Sequence, residues 1–586
     1  MAIKKYVADS DNTIVNAYQL NLTTRGTGAN AGVADVLEAF SIYGRVTTSS
    51  QELSRVLIKF PVSDISTDRT NNNIPASGSV SFYLRLYNAE HSKTVPIDYT
   101  ICVYTVSQSW QEGVGLDLEG YKDLTLGNQG SNWMSASNTD YWTDANSTLL
   151  AGGSYITGAE PNGIGNNADT DQEIFIFKQT FSTGLENLEI DVTPVIEQWV
   201  AGTYSNYGFG IHLSASYEAQ ISGAANTIVS RKPGQLALDG DDTTQSVIYN
   251  PSGSTTSYYT KRFFARGTEF FFKKPAIEAR WNSGRADNRG DFFFSSSLAP
   301  PARNLNTIYM YNYIDGQLTD IPDLGTDKRI YASIYSGSTG GFYTQQGGGM
   351  GVDVPPSDIP VSGTTSADTG SVQILSVDNN GHVRSGYETV ITGGVVSTGI
   401  YSASFAFTGT QNPPLDTIYD VWFTGSDTTT NANDAITQYF TGAISCHTLR
   451  AQNRAGRPTY YMNITNLKDK YRADENARFN LYVRNKYWDP TVYTVANVNA
   501  PTTNIVSSSY KVYRTLDAYD AIPYGTGSDL HTLMSYDISG NYFDLDMNLL
   551  EPGYEYAFKF SFYNNAVKSW VEQPDVFKFR VESYEY

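Results

Sequence analysis

The sequence predicts an all-β protein built from three β-sandwich domains, and three observations support this fold class. Short segments in which apolar and polar residues alternate recur along the whole chain, which is the pattern of half-buried strands. Clusters of Gly, Ser, Thr, Asn and Asp separate these segments, as turns do. Helical periodicity is clear in only one short stretch, so the chain offers little to build a helical layer.

The segment 49–66 predicts the clearest strand, and Pro61 stops its hydrogen-bonding ladder. Its alternation places one apolar set on the core side and leaves two cations facing outward or paired at the sheet edge. The apolar set is Leu53, Val56, Ile58 and Phe60, and the cations are Arg55 and Lys59. Near the N-terminus, the polar run at 9–13 predicts a turn.

The stretch 188–212 predicts the one helix of the chain, placed between two strands. Thr193 is expected to cap it, Pro194 fills the first helical position, and Gly202 ends it in a left-handed conformation. Its apolar face consists of Val195, Ile196, Trp199 and Val200. We expect this helix to plug the open end of the first sandwich.

Polar segments divide the chain into three predicted domains, 1–285, 286–447 and 448–586. The first boundary follows Asn282, at the polar run SGRADNRGD. In the second and third domains, short strands alternate with turn clusters, which is typical of immunoglobulin-like sandwiches. Within the first domain, 113–170 is long for a loop and poor in apolar periodicity, so it predicts a functional or elaborated excursion.

The composition is that of an extracellular or virion surface. Of 586 residues only 17% are charged, 13% are aromatic, and 43 are tyrosines. The net charge of −20 argues against nucleic acid and against anionic lipid as partners, because both need clustered Lys and Arg.

The chain combines this composition with features of synthesis in a reducing cytoplasm. Cys102 and Cys446 each lie in an apolar strand and are expected to be buried thiols. The N-terminus lacks the apolar run of a signal peptide, and no segment reaches membrane-spanning length. Phage virion proteins show this combination, because cell lysis rather than secretion releases them.

No motif in the sequence predicts catalysis. The five histidines have no zinc spacing, His212 is expected to be a strand residue with a hydrogen-bonded ring, and GGGMG at 347–351 has no following helix to form a phosphate site. We therefore expect no enzymatic activity and no cofactor.

Three acidic clusters offer the closely spaced oxygen ligands that Ca²⁺ accepts, although solvated acidic turns are the alternative. They are Asp9, Asp11 and Asn12; Asp169, Asp171 and Glu173; and Asp239, Asp241 and Asp242.

Four aromatic residues in and beside the long loop are candidates for contacts. Trp110, Trp133, Tyr141 and Trp142 could stack on sugar rings if they are exposed. The alternative is that they pack over the sandwich edge or form a protein interface, where Tyr and Trp are enriched.

The order of motifs in 1–282 resembles the DNRLRE-type β-sandwich module, which is related to carbohydrate-binding modules. The resemblance implies a jelly-roll sandwich for the first domain, and the insertion at 113–170 departs from it. The matching segments are Arg55 to Ile65, Tyr83 to Tyr87, Ser109 to Gly113, Asp191 to Gly202, Asn206 to Phe209, and Lys261 to Ala279.

The whole chain also looks like a virion structural protein of T4-like cyanophages, most strongly through NTIVNAY, GRVTTSSQELSRVLIKFPV and SWQEGVGLDLEGYKDLT. This resemblance implies a virion location after assembly in the host cytoplasm. We therefore expect a non-enzymatic, multi-copy subunit of the tail, neck or baseplate, or a fibre.

The expected partners are other virion proteins and further copies of the chain, with no nucleic acid and no membrane. One alternative function is an adhesin that binds host-surface polysaccharide through the first domain. A third is capsid decoration.

Overall fold

The computed structural model forms two compact units, 2–282 with 526–531, and 283–525 with 532–586. Its described residues contain 31 strands and two α-helices, which confirms the all-β, multi-domain prediction. The prediction of three separate domains stays a prediction. The described residues are 2–22, 25–44, 51–91, 96–116, 130–156, 175–222, 247–293, 305–322, 324, 329–336, 374–376, 391–407, 417–424, 437–447, 459–488, 502–525, 529–564 and 567–583.

The first unit is a β-sandwich with one apolar core between its two sheets. A four-stranded sheet has the order β1-β11-β5-β8, and a seven-stranded sheet runs β10-β3-β4-β9-β6-β7 with β2 also paired to β4. The strands are β1 (Ile3–Val7), β2 (Ser10–Val15), β3 (Val36–Tyr43), β4 (Gln51–Lys59), β5 (Ser81–Leu86), β6 (Tyr99–Thr105), β7 (Ile176–Phe181), β8 (Leu188–Asp191), β9 (Phe209–Leu213), β10 (Tyr258–Phe264) and β11 (Ala276–Arg280).

The predicted helix is present as α2 (Thr193–Val200) and covers the sandwich core. Trp199 is buried, and its ring centroid lies 4.9 Å from that of Phe209. Gly202 follows with φ +73°, as predicted for the helix end. The capping prediction is wrong, because Thr193 is already helical and its hydroxyl instead accepts a hydrogen bond from the Phe82 backbone N–H at 2.7 Å.

A second helix, α1 (Val62–Thr70), replaces the predicted end of the 49–66 strand. Pro61 precedes it as the N-cap residue, where a fixed φ suits a helix start. Only Val62 and Ile65 of this helix are buried, so its sequence lacks the apolar residues at helical spacing that predict a helix. Arg69 of α1 forms a bidentate ion pair with Glu197 of α2, at 2.6 and 2.7 Å.

The predicted turn at 9–13 is wrong, because most of it belongs to the buried strand β2. Its polar side chains form internal hydrogen bonds in place of solvent contacts. Asn12 donates to the Ser131 carbonyl at 3.0 Å and accepts from the Ala31 N–H at 2.9 Å. A polar sequence therefore forms part of the interior.

The second unit contains two sandwich-like assemblies. Its 292–447 part forms an eight-stranded sheet. Strand β18 pairs with β16 through Ile391–Gly393 and with β19 from Gly394 onward. The sheet therefore turns a corner at Gly393 and Gly394. The eight strands are β12 (Phe292–Phe293), β13 (Asn306–Tyr311), β16 (Ile330–Ser336), β17 (Ile374–Ser376), β18 (Ile391–Ser397), β19 (Ile400–Phe407), β20 (Thr417–Thr424) and β21 (Thr437–His447), and β14 (Tyr313–Ile314) and β15 (Gln317–Leu318) form a separate two-stranded sheet.

The 460–582 part consists of a four-stranded sheet, β22-β24-β28-β27, and a six-stranded sheet, β23-β31-β29-β25-β26 with β30 on β29. Aromatic rings fill the core between them, as in the contact of Phe479 with Phe558 at 4.7 Å. The strands are β22 (Tyr460–Ile464), β23 (Lys470–Arg472), β24 (Asn476–Asn485), β25 (Ser508–Arg514), β26 (Asp520–Ile522), β27 (Ser535–Asp537), β28 (Gly540–Asp546), β29 (Glu555–Asn564), β30 (Ser569–Glu572) and β31 (Phe577–Glu582).

The polar segment after Asn282 is built into the second unit instead of forming a spacer. Ala286 forms a parallel bridge with Tyr536 beside β28. Three residues further on, buried Arg289 forms a bidentate ion pair with Asp420 in the eight-stranded sheet. This segment therefore ties both sandwich-like assemblies of the unit together.

Candidate interaction surfaces

A second apolar cluster covers the outer face of the seven-stranded sheet. Residues of β2 and β4 on this face pack against side chains from 106–116 and 130–156, which follow β6 and which we call the cover. The cluster contains Ile14, Leu53, Leu57, Val106, Trp133, Met134, Ala136 and Trp142. The long excursion predicted from the sequence is thus, in its described part, a cover over the sheet.

The four predicted contact aromatics belong to this cover. Trp133 and Trp142 are fully buried, so the expectation that they offer a stacking or contact surface is wrong for these two. The indole N–H of Trp142 donates to the Asn132 carbonyl at 2.8 Å. Trp110 is half-buried and donates to the Tyr207 carbonyl at 2.7 Å, while Tyr141 is half-buried. Packing over the sheet, the alternative stated for them, describes the two buried tryptophans.

Arg55 of β4 fastens the cover to the sheet and is buried instead of facing outward. Its guanidinium forms a bidentate ion pair with buried Glu218, with contacts of 3.0 to 3.2 Å. It also donates to the Gly152 carbonyl at 3.0 Å and lies 5.6 Å from the ring centroid of Trp133. One cation thus joins β4, the cover and the segment after β9.

The ionisation of this cluster follows from its contacts. Burial alone would raise the pKa of Glu218, but the charge of Arg55 and the adjacent His212 lower it to about 2. Burial, together with Arg55, lowers the pKa of His212. The cluster is therefore a carboxylate–guanidinium pair beside a neutral imidazole near neutral pH.

His212 lies in a strand with its ring hydrogen-bonded, as predicted. Its Nδ1 lies 2.8 Å from the Leu213 carbonyl, and the imidazole stacks on Tyr104 at 4.6 Å. The neighbouring Tyr155 ring lies against Gly210, where a Cβ would be 2.0 Å from a ring carbon. Glycine at 210 therefore lets the cover approach the sheet closely.

A second charged group joins the cover to β2. Asp11 accepts from the Arg266 N–H at 2.7 Å, and Glu112 forms a bidentate pair with the Arg266 side chain at 2.8 Å. Burial raises the pKa of Asp11 to about 6, although the Arg266 N–H opposes the rise. Asp11 and Asn12 are thus structural groups inside the fold and not a solvated acidic turn.

The other two acidic clusters, 169–173 and 239–242, lie outside the described residues, so calcium binding there stays a prediction. Within the described ranges, no group of three or more His, Cys, Asp or Glu side chains is arranged to hold a metal ion. Cys102 and Cys446 are buried thiols, as expected. None of the described helices has the length and apolar character needed to cross a membrane.

The first unit exposes a surface rich in phenylalanine, which we call the phenylalanine patch: Phe264, Phe270, Phe271 and Lys273. Phe270 and Phe271 are 48% and 41% exposed, which is unusual for this residue type. The rings of Phe264 and Phe270 meet edge to face at 5.4 Å. The Lys273 ammonium lies 4.7 and 5.1 Å from these two ring centroids.

The second unit exposes an aromatic and cationic surface at the edge strand β22, which we call the β22 edge: Tyr461, Arg484, Lys486, Tyr487 and Trp488. Arg484 pairs in register with Tyr461 and lies 5.5 Å from its ring centroid and 5.9 Å from that of Trp488. Tyr487 is 75% exposed. Tyr, Trp and Arg are the residue types enriched in protein interfaces.

Sequence reasoning missed the β22 edge because its residues come together only through strand pairing. No single segment carries the signal, since Tyr461 lies on β22 while Arg484 lies on β24. The phenylalanine patch comes from a run of aromatic residues in the sequence, but the alternation of apolar and polar residues does not indicate which of these rings are exposed. Both surfaces are available for contacts that the buried Trp133 and Trp142 cannot make.

No family model matches the chain, and no curated protein matches it. The similar solved structures include a DUF4785 family protein from Legionella pneumophila, at 8% identity over 98% of this chain and 92% of that chain, with a TM-score of 0.11.

Two bacterial α2-macroglobulins are also similar. The trypsin-activated protein from Escherichia coli has 9% identity over 93% of this chain and 30% of that chain, with a TM-score of 0.12. The Salmonella protein reacted with methylamine has 10% identity over 99% and 34%, also with a TM-score of 0.12. Such low scores carry no argument about fold or function.

Proposed function

We propose that the chain is a non-enzymatic structural subunit of a tailed-phage virion, present in multiple copies in the tail, neck or baseplate or in a fibre. The virion location rests on the resemblance of the N-terminal half to virion structural proteins of T4-like cyanophages and on a surface-type composition. The chain would assemble in the host cytoplasm and leave the cell by lysis.

The observation that carries an architectural role is the covered sheet face of the first unit. An adhesin of the carbohydrate-binding type needs exposed aromatic rings on which sugars can stack. Trp133 and Trp142 are instead part of a second core that Arg55 and Glu218 fasten to the sheet. Two of the four candidate residues for sugar stacking therefore serve packing.

The phenylalanine patch and the β22 edge are the surfaces that we assign to neighbouring virion proteins, including further copies of the chain. Both combine exposed aromatic rings with cations, and the chain as a whole carries a net charge of −20. An acidic neighbour would be attracted to these two surfaces and repelled elsewhere. Such a charge pattern favours one relative orientation of the two proteins over others.

The proposal is tested by quantitative mass spectrometry of gradient-purified virions, combined with a pull-down of the full chain on host-surface polysaccharide. We expect the chain to co-purify with the particle in a fixed copy number and to leave the polysaccharide unbound. Absence from purified virions would refute the structural role. Polysaccharide binding that is lost on mutation of exposed aromatics would establish the adhesin alternative, and immunogold labelling on the head would favour capsid decoration.

A further inference from the structure

Lys261 of β10 is a buried lysine held by uncharged acceptors. Its side chain is 1% exposed, and its Nζ donates to Asn88 Oδ1 at 2.5 Å and to the carbonyls of Gly184 and Glu186 at 2.8 Å each. The Nζ atom also lies between two aromatic rings, 5.0 Å from the centroid of Phe181 and 5.1 Å from that of Phe263. Within the described ranges, this ammonium forms no ion pair.

Asn88 is held against the same strand by backbone hydrogen bonds. It forms an antiparallel bridge with Phe263, and its own N–H donates to Asn187 Oδ1 at 2.8 Å. The flanking Ala89 N–H donates to the Arg262 carbonyl at 3.0 Å. Since a C=O bond is about 1.2 Å long, the Asn88 Cγ lies no farther than about 3.7 Å from the lysine nitrogen. This separation is close to that of reacting atoms in a near-attack geometry.

We propose that Lys261 and Asn88 are joined by an intramolecular isopeptide bond. The neutral Nζ attacks Cγ, a new C–N bond forms, and the bond from Cγ to Nδ2 breaks. The proton lost by Nζ moves to Nδ2, which leaves as ammonia. The reaction exchanges one amide for another, so it needs no oxidant, no reductant and no second substrate.

The surroundings of Lys261 favour the neutral amine that this attack requires. Burial lowers the pKa of Lys261 to about 8, and the carboxylate of Glu186 partly offsets the effect. A sizeable neutral fraction therefore exists at mildly alkaline pH. Burial would raise the pKa of Glu186, but hydrogen bonds from the backbone N–H groups of Thr183 and Ser182 lower it to about 2, so this carboxylate is a weak base and the proton passes directly from Nζ to the leaving nitrogen.

The bond would link the two sheets of the first sandwich at one edge. Asn88 follows β5 of the four-stranded sheet, and Lys261 lies in β10 of the seven-stranded sheet. The two residues are 173 positions apart, so the closed loop would contain most of the unit. Such a cross-link restricts the unfolded chain as a disulfide does, and it needs no oxidising compartment. This inference stands independently of the virion role.

The test is mass spectrometry of the full chain under denaturing conditions. We expect an intact mass lower than that of the sequence by one ammonia, and a proteolytic product in which the peptide containing Lys261 is joined to the peptide containing Asn88. Fragmentation of the joined peptides is required, because cyclisation of an asparagine with its own backbone also releases ammonia. Lys261→Arg should abolish the joined peptides, whereas Lys178→Arg, at an exposed lysine of β7, should retain them.

The decisive sample is folded wild-type chain incubated at mildly alkaline pH until its mass is constant. Separate Lys261 and Asn88 peptides in that sample would overturn the proposal, whatever the variants do.

Discussion

Glu218→Gln tests whether the buried ion pair with Arg55 fastens the cover to the sheet. The substitution keeps the side-chain shape but removes the charge that Arg55 contacts. Arg55 would then be a buried cation without a carboxylate, and breaking a buried pair in this way costs about 3–5 kcal/mol. The pKa of Glu218 agrees, since its fall from 4.5 to about 2 corresponds to about 3–4 kcal/mol at ~1.4 kcal/mol per pKa unit.

Hydrogen–deuterium exchange of peptides from 130–156 is the suitable assay, because it reports the opening of the cover and not the unfolding of the whole chain. A loss of about 3 kcal/mol predicts roughly 100-fold faster exchange in these peptides. In the wild type, the contribution of Glu218 is present above pH 4.5 and is lost as the pH falls through about 2. Acid should therefore accelerate the opening of the cover in the wild type more than in Glu218→Gln.

The matched control is Asp544→Asn, which removes the charge from an exposed bidentate pair with Arg478. Exposed pairs contribute about 0–1 kcal/mol, so exchange around β28 should change by only a few-fold. If Glu218→Gln leaves exchange of 130–156 as slow as in the wild type, the ion pair does not hold the cover and the reasoning fails.

Four further predictions concern the core, the segment after Asn282, the exposed surfaces and metal binding. Trp199→Ala should destabilise the first unit by about 3–5 kcal/mol in calorimetry. Trp199→Phe should destabilise it less, because the buried indole N–H that it removes has no hydrogen-bond partner among the described residues. Equal losses of stability in the two variants would contradict this expectation. Burial raises the pKa of Asp287 to about 6, so its contribution to stability is present below pH 3.8 and is lost as the pH rises through 6. Asp287→Asn should therefore raise the melting temperature of the second unit at pH 7, with a gain that shrinks toward pH 4; a gain independent of pH would refute this. Replacing Phe270 and Phe271 by Ser should reduce incorporation into virions without changing the melting temperature, whereas Leu516→Ser, at an isolated exposed residue, should have no effect on incorporation. EDTA should leave the melting temperature unchanged, and a decrease would establish a structural metal ion.

The helix α2 and the strands were predicted from patterns of neighbouring residues, such as apolar spacing and the residues at element ends. Pro194 and Gly202 mark the ends of α2, and the apolar spacing between them gives its buried face. Helix α1 escaped prediction because only two of its side chains are buried, so its periodicity is absent from the sequence. The strand β2 escaped because Asp11 and Asn12 are buried in hydrogen bonds to distant segments.

The covered sheet face depends on contacts that a single sequence does not reveal. Arg55 was expected to face outward or to be paired at the sheet edge, and its partner Glu218 lies 163 residues away. One signal was nevertheless present in β4, where Leu57 interrupts the alternation between Val56 and Ile58. Apolar residues on both faces of a strand indicate that both faces are buried. That signal predicts a cover, although it does not identify 106–116 and 130–156 as the segments that supply it.

A cryo-electron-microscopy reconstruction of the intact virion tests the central claim most directly. The structural role predicts density for multiple ordered copies of the chain, with the phenylalanine patch or the β22 edge buried against a neighbouring subunit. A virion in which the chain has no density, or in which both surfaces face solvent in every copy, would contradict the account.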